Sequence, residues 1–135
     1  MSKSALVLTL FIAWTLCLLV LMEGIRSYLV LSGRTRSNEF KPDNANLSPF
    51  LQRLARAHAN CIESLPVVGG LLLVAIVTGR TGVTDALAPW LLLARMAQSI
   101  THLVSVSVVA VNVRFSFFAV QLAIAIYWIF ALLAG

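Results

Sequence analysis

The sequence predicts an all-α integral membrane protein, a four-helix bundle running up, down, up and down. Three observations carry that expectation. Of 135 residues, 60% are hydrophobic and only 11% are charged, more apolar surface than a soluble domain of this size can bury. The apolar residues fall in runs at about 5–31, 64–78, 84–111 and 115–134, each near the ~20 residues that cross a hydrocarbon layer. The only polar segment of any length is SGRTRSNEFKPDNANLSP, 32–49. Backbone groups in lipid must find their partners within the segment, so runs this long read as helices. The whole chain, 1–135, forms one membrane domain on this reading.

Helix one is placed at about 5–31. Its start, MSKSALVLTLFIAWTLCLLVLM, has the lysine and apolar core of a leader peptide. The core is too long for one, and no A-x-A-like cleavage site precedes Glu23 and Arg26, so the segment reads as a retained helix. Gly33 ends it. In the loop at about 32–48, Pro42 and the Asp/Asn cluster turn the chain, and Ser48 with Pro49 supplies an N-cap and first turn for helix two. Helix two, at about 49–78, measures roughly 45 Å, so its first turns project into the headgroup zone of a ~30 Å hydrocarbon layer. Pro66 and the Gly69–Gly70 pair interrupt it; Pro66 frees a carbonyl near Ile62, and the glycines permit close helix contact. The link GRTGVTD at 79–85 leads into helix three at about 84–111, capped by Thr84 or Asp85. A tighter link near Asn112 and Arg114 leads into helix four at about 115–134. Short links make successive helices antiparallel neighbours.

The net charge is +5, and its distribution gives orientation. Arg34, Arg36, Lys41, Arg53, Arg56 and Arg114 collect on one side; Lys3 and Arg80 lie on the other. The positive-inside rule then puts both termini outside and the 32–48 loop in the cytoplasm. Partners on this reading are the bilayer and its anionic headgroups, and no motif supports nucleic acid binding. Cys17 and Cys61 have no C-x-x-C spacing and no histidine at ligand spacing; both read as buried apolar thiols, with no disulfide and no metal site expected.

Polar residues within the helices form stripes. Arg53, Arg56, Asn60 and Glu63 step by three, four and three and share an arc of about 80° on helix two, with His58 facing nearly the other way. Arg95, Gln98, Ser99, His102 and Ser105 make a stripe on helix three; Glu23, Arg26 and Ser27 make another on helix one. Counted from the cytoplasmic ends, Asn60 lies about 15 Å deep, Glu63 about 20 Å, His102 about 12 Å and Arg95 about 22 Å. Glu63 and Arg95 come level and are expected to pair, since two lone buried charges cost far more than one pair. Glu23 and Arg26, at about 9–14 Å, join the layer. Interhelical hydrogen bonding explains such a pair without any ligand. It does not explain the surplus of arginine, which matches an anion: a headgroup phosphate, or a soluble cofactor bearing carboxylates.

The stretch RLARAHANCIESLP resembles the helix-two signature of the MAPEG family, the membrane-associated proteins of eicosanoid and glutathione metabolism. The pattern R-x-x-R-A-H-x-N-x-x-E followed by Pro is met by Arg53, Arg56, Ala57, His58, Asn60, Glu63 and Pro66. Upstream, Arg34, Arg36, Phe40 and Pro42 resemble the family's cytoplasmic loop; downstream, ARMAQSITHL resembles its helix three through Arg95. Size, helix number and orientation agree along nearly the whole chain. The resemblance, nearest to microsomal glutathione transferases of bacterial type, implies a homotrimer in a bacterial inner membrane with glutathione bound between subunits. By motif match, Arg56, Asn60 and Glu63 contact glutathione, and Arg34 and Arg53 add positive charge; Arg26, Arg95, Gln98 and His102 complete the expected binding set. Arg114, as the arginine opening helix four, is the expected catalytic residue, since an adjacent guanidinium favours the thiolate nucleophile. Eicosanoid-type members carry tyrosines where this chain has Gln98 and His102, and the stretch from Arg95 to Arg114 is some three residues longer than in the prostaglandin type.

The function expected is a glutathione-dependent transferase or peroxidase acting on lipophilic electrophiles or lipid hydroperoxides that arrive from the bilayer. The alternative is a non-catalytic lipid-binding or scaffold protein, since the family includes one. Arg114 and an activated thiol separate the two. An ion path along Glu23, Glu63 and His102 fits less well, because the interleaved arginines oppose cations.

Overall fold

The computed structural model describes all 135 residues, and every regular element is helical: α1 (Lys3–Leu31), α2 (Pro49–Val77), α3 (Thr81–Thr84), α4 (Ala88–Val104) and α5 (Val108–Leu133). Three of them, α1, α2 and α5, are long and apolar enough to cross a membrane; α4 has 17 residues.

Local chemistry sets the boundaries. The Ser2 hydroxyl accepts from the Ala5 N–H at 3.1 Å to start α1. Gly33 leaves that helix at φ +74° and Gly79 leaves α2 at φ +69°, the left-handed conformation that L side chains resist. Ser48 accepts from the Leu51 N–H at 3.3 Å, with Pro49 in the first turn of α2, where its missing N–H is harmless.

Two expected boundaries are corrected. Helix three does not run over 84–111 but over Ala88–Val104, preceded by the separate turn of α3. The last link lies at 105–107 rather than at Asn112–Arg114, because Ser107 caps α5 by accepting from the Ala110 N–H at 3.2 Å and Ser105 accepts from the Ser107 N–H at 3.0 Å. Arg114 therefore sits in the second turn of α5, not at its opening. Asp85 caps α1 rather than helix three: its carboxylate accepts from the Ser4 N–H at 2.8 Å and the Ser4 hydroxyl at 2.6 Å. Pro66 and the glycine pair do not interrupt α2, which is continuous. A Cβ on Gly69 would lie 3.1 Å from Leu8 Cδ1, while Gly70 has nothing within 4 Å, so only the first serves close contact with α1. Cys61 is buried as expected; Cys17 is exposed, since it falls on the side of α1 away from Phe11, Leu18 and Met22.

Those three residues meet Leu54 and Leu72 of α2, Leu91 of α4 and Trp128 of α5 in one apolar core. Contacts at the ends fix the helix order. At one end Asp85 holds Ser4, and the Arg80 guanidinium donates to the carbonyls of Ala131, at 2.9 Å, and Leu132, orphan acceptors at the end of α5. At the other, Arg26 donates to Asn44 Oδ1 at 3.0 Å and to the Lys41 carbonyl at 3.0 Å. Buried Asn44, at φ +56°, passes the contact on to the Leu51 carbonyl at 2.8 Å.

Candidate functional site

The four helix-two residues that set the stripe do not act as one group. Arg53 is half-buried and its Nε donates to the Leu103 carbonyl at 2.9 Å, tying α2 to the end of α4. Arg56 is exposed and lines a hollow of about 260 Å³ with Asp43, Gln52 and Ala59. Asn60 and Glu63 instead line a larger cavity of about 390 Å³, whose other walls come from α4 and α5.

That cavity has two faces. Asn60, Glu63, Arg95, Gln98, His102, Arg114 and Gln121 make the polar one; Val67, Phe115, Phe118 and Leu122 are prominent on the apolar one. Arg95, 1% exposed, organises the polar wall. Its Nε donates to Gln121 Oε1 at 2.9 Å, its Nη1 donates to Asn60 Oδ1, and its guanidinium lies 5.8 Å from the centre of the Phe11 ring. Gln121 Nε2 donates in turn to Gln98 Oε1 at 2.9 Å and to the Phe117 carbonyl at 3.0 Å. Across the last link, Arg114 Nη1 lies 2.5 Å from His102 Nδ1. Ser99 faces Cys61 behind this wall at 3.4 Å.

The expected Glu63–Arg95 pair does not form. The ion pairs present are Arg26–Glu23 and Arg36–Glu39, and Glu63 is exposed. The corrected end of α4 supplies the reason. Measured back from Val104, Arg95 lies about 14 Å deep, level with Asn60 and not with Glu63. Glu23 and Arg26 do not join the cavity either, because the 40–44 loop takes Arg26, whose guanidinium also stacks 5.3 Å from the Phe40 ring. Arg34 is exposed and stacks over Tyr28 at 5.8 Å. His58 is half-buried, and its Nε2 has no partner.

Of the expected site residues, the cavity thus brings together Asn60, Glu63, Arg95, Gln98, His102 and Arg114, and leaves Arg26, Arg34, Arg53 and Arg56 outside it. Sequence reasoning passed over Gln121, the hub between Arg95 and Gln98. The signal was present: it is the one amide or charged residue between Phe117 and Gly135, and an isolated amide in an apolar helix has to find a partner.

Chemically, the cavity offers donors to a negative or strongly accepting group. Arg95 Nη2 and Arg114 Nε are buried without any partner, and a guanidinium has no means of accepting a bond. Neither arginine has an ion-pair partner, so this wall carries positive charge that suits an anion, and the facing wall suits an apolar molecule.

The sequence model of the MAPEG family matches residues 4–134 of the chain. No curated protein and no solved structure matches it.

Proposed function

The chain belongs to the MAPEG family, and from that premise we propose that it binds glutathione and uses it as a transferase or peroxidase. Its acceptors are lipophilic electrophiles or lipid hydroperoxides entering from the bilayer. The observation that carries this reading is the pair of guanidinium groups lining one cavity, each with a buried N–H lacking a partner, opposite an apolar wall. Glutathione supplies the nucleophilic sulfur when bound. The chain's own residues have separate tasks. Arg114 presents positive charge that lowers the proton affinity of a thiol beside it. Arg95, held by Asn60 and Gln121, adds a second positive charge to the same wall. Glu63 offers a free carboxylate to an ammonium group, and exposed Arg56 and Arg34, with Arg53 at the mouth of α2, attract carboxylates. Phe115, Phe118 and Leu122 receive the apolar acceptor and keep water off the sulfur.

This reading places the four longer helices across the membrane as an up-down-up-down bundle, with both termini outside and the 32–48 loop in the cytoplasm, in a homotrimer. A second reading, lipid binding without chemistry, draws on one observation: Arg114 already has a partner in His102. Thermal unfolding with millimolar glutathione and ultraviolet absorbance of the bound thiolate separate the two. Glutathione should raise the melting temperature of the wild type and produce thiolate absorbance. Arg114→Ala should keep the stabilisation and lose the absorbance. A wild-type melting curve that ignores glutathione removes the enzyme reading and leaves the lipid-binding one.

A further inference from the structure

We propose that His102 is a positioning residue that aims the Arg114 guanidinium into the cavity through its Nδ1. The inference rests on the reading in which Arg114 stabilises a thiolate. The geometry is specific about roles. Arg114 Nη1 and His102 Nδ1 lie 2.5 Å apart, and a guanidinium only donates. Nδ1 is therefore the acceptor, and the ring proton sits on Nε2. His102 is 6% exposed in the last turn of α4, and Arg114 stands in the second turn of α5, so the contact spans the corner at 105–107. A long side chain reaching into a cavity from an exposed stretch of α5 has many rotamers. One bond from a packed ring selects among them.

The chemistry of the acceptor matters as much as its place. A carboxylate in that position would fix Arg114 equally well but would cancel its charge, and with it the effect on a neighbouring thiol. A neutral imidazole fixes the direction and leaves the charge intact. The one carboxylate lining the cavity, Glu63, makes no ion pair with Arg114 or Arg95. The contact also leaves Arg114 Nε buried without a partner, so the guanidinium is held at one nitrogen and unpaired at another.

The test compares two amides that imitate the two ring nitrogens. The side-chain oxygen of Asn falls near the place of Nδ1; that of Gln falls near the place of Nε2. Wild type, His102→Asn, His102→Gln and His102→Leu are saturated with glutathione, and thiolate absorbance is followed against pH, with affinity measured separately by thermal shift. Asn should keep the wild-type midpoint. Gln and Leu should move it up by about one pH unit, roughly a tenfold drop in thiolate at neutral pH, with glutathione affinity changed less than about threefold. Nitrogen NMR of the ligand-free wild type should show His102 with a bare Nδ1 and a protonated Nε2. The inference is overturned if Asn and Gln behave alike, if the Leu protein keeps the wild-type midpoint, or if thiolate is lost only in proportion to lost binding. A proton on Nδ1 overturns it as well. Should the Leu protein fail to fold, the contrast between Asn and Gln decides alone. A wild type that binds no glutathione overturns the functional reading and this inference with it, whereas bound thiolate indifferent to His102 overturns the inference only.

Discussion

A guanidinium buried among helices brings five N–H groups that water no longer satisfies, and at Arg95 two side chains answer Nε and Nη1 while Nη2 is left without a partner. Gln121 accepts from Nε and passes its own amide hydrogens to Gln98 and the Phe117 carbonyl; Asn60 accepts from Nη1. Removing Gln121 strips one acceptor from a charge and one donor from Gln98, while neither is freed to reach solvent. Gln121→Leu is therefore expected to destabilise the protein by about 1–3 kcal/mol, read as a shift in denaturant unfolding in detergent. A Leu protein as stable as wild type would mean that Arg95 finds other partners easily. The same residue marks the limit of what composition discloses. The polar stripes on α2 and α4 were legible as sets, because periodicity places Asn60, Arg95, Gln98 and His102 on inward or facing arcs. The partner of each was not, since a bond depends on reach and depth to within an ångström or two, and a depth counted from a misplaced helix end was off by about five residues.

Elements were easier to foresee than their ends. Serine before proline fixed the start of α2, and Gly33 fixed the exit from α1, because each has one conformational role at that place. The 84–111 run misled, since VSVSVVAV sets only two small serines among valines and an alanine and hydropathy alone does not separate a helix from a corner inside it. What breaks the helix there is hydroxyl chemistry: Ser105 and Ser107 offer the backbone local partners that a continuous helix would not use. Asp85 exemplifies a cap supplied from far away in sequence, at the N-terminus of α1, where a negative charge also meets the helix dipole. The Ser4 hydroxyl bond, opposed by partial burial and reinforced by the Ser4 N–H and nearby Lys3, holds its carboxyl below the usual carboxylate range. A depressed folded value means that the stabilisation is complete above the unfolded value of about 3.9 and fades as pH falls through the folded one. Asp85→Asn should thus lower the melting temperature by a constant amount from pH 7 down to about 5, and the gap to wild type should close at lower pH. A gap of equal size in strong acid would assign the effect to shape rather than charge.

At the scale of the molecule, the cavity belongs to one chain but its surroundings are unfinished. Glu63 lies exposed about halfway along α2, and a lone charge facing hydrocarbon at that depth costs on the order of 2.5–3.5 kcal/mol. Arg56, about two turns toward the loop, is exposed on the same side. Each of α1, α2 and α5 also presents an apolar outer face, as lipid requires. Covering the charged strip of α2 with a neighbouring copy resolves the contrast, and it is the arrangement expected of a homotrimer. Native mass spectrometry in mild detergent should accordingly give an assembly of three 14.7 kDa chains. Glu63→Leu distinguishes cover by protein from exposure to lipid. Facing lipid, the substitution removes an unfavourable charge and raises stability in the monomer. Facing a neighbour, it removes a polar contact and shifts the population toward monomer. The second outcome is expected, and a stabilised monomeric Leu protein would place the strip in contact with the bilayer.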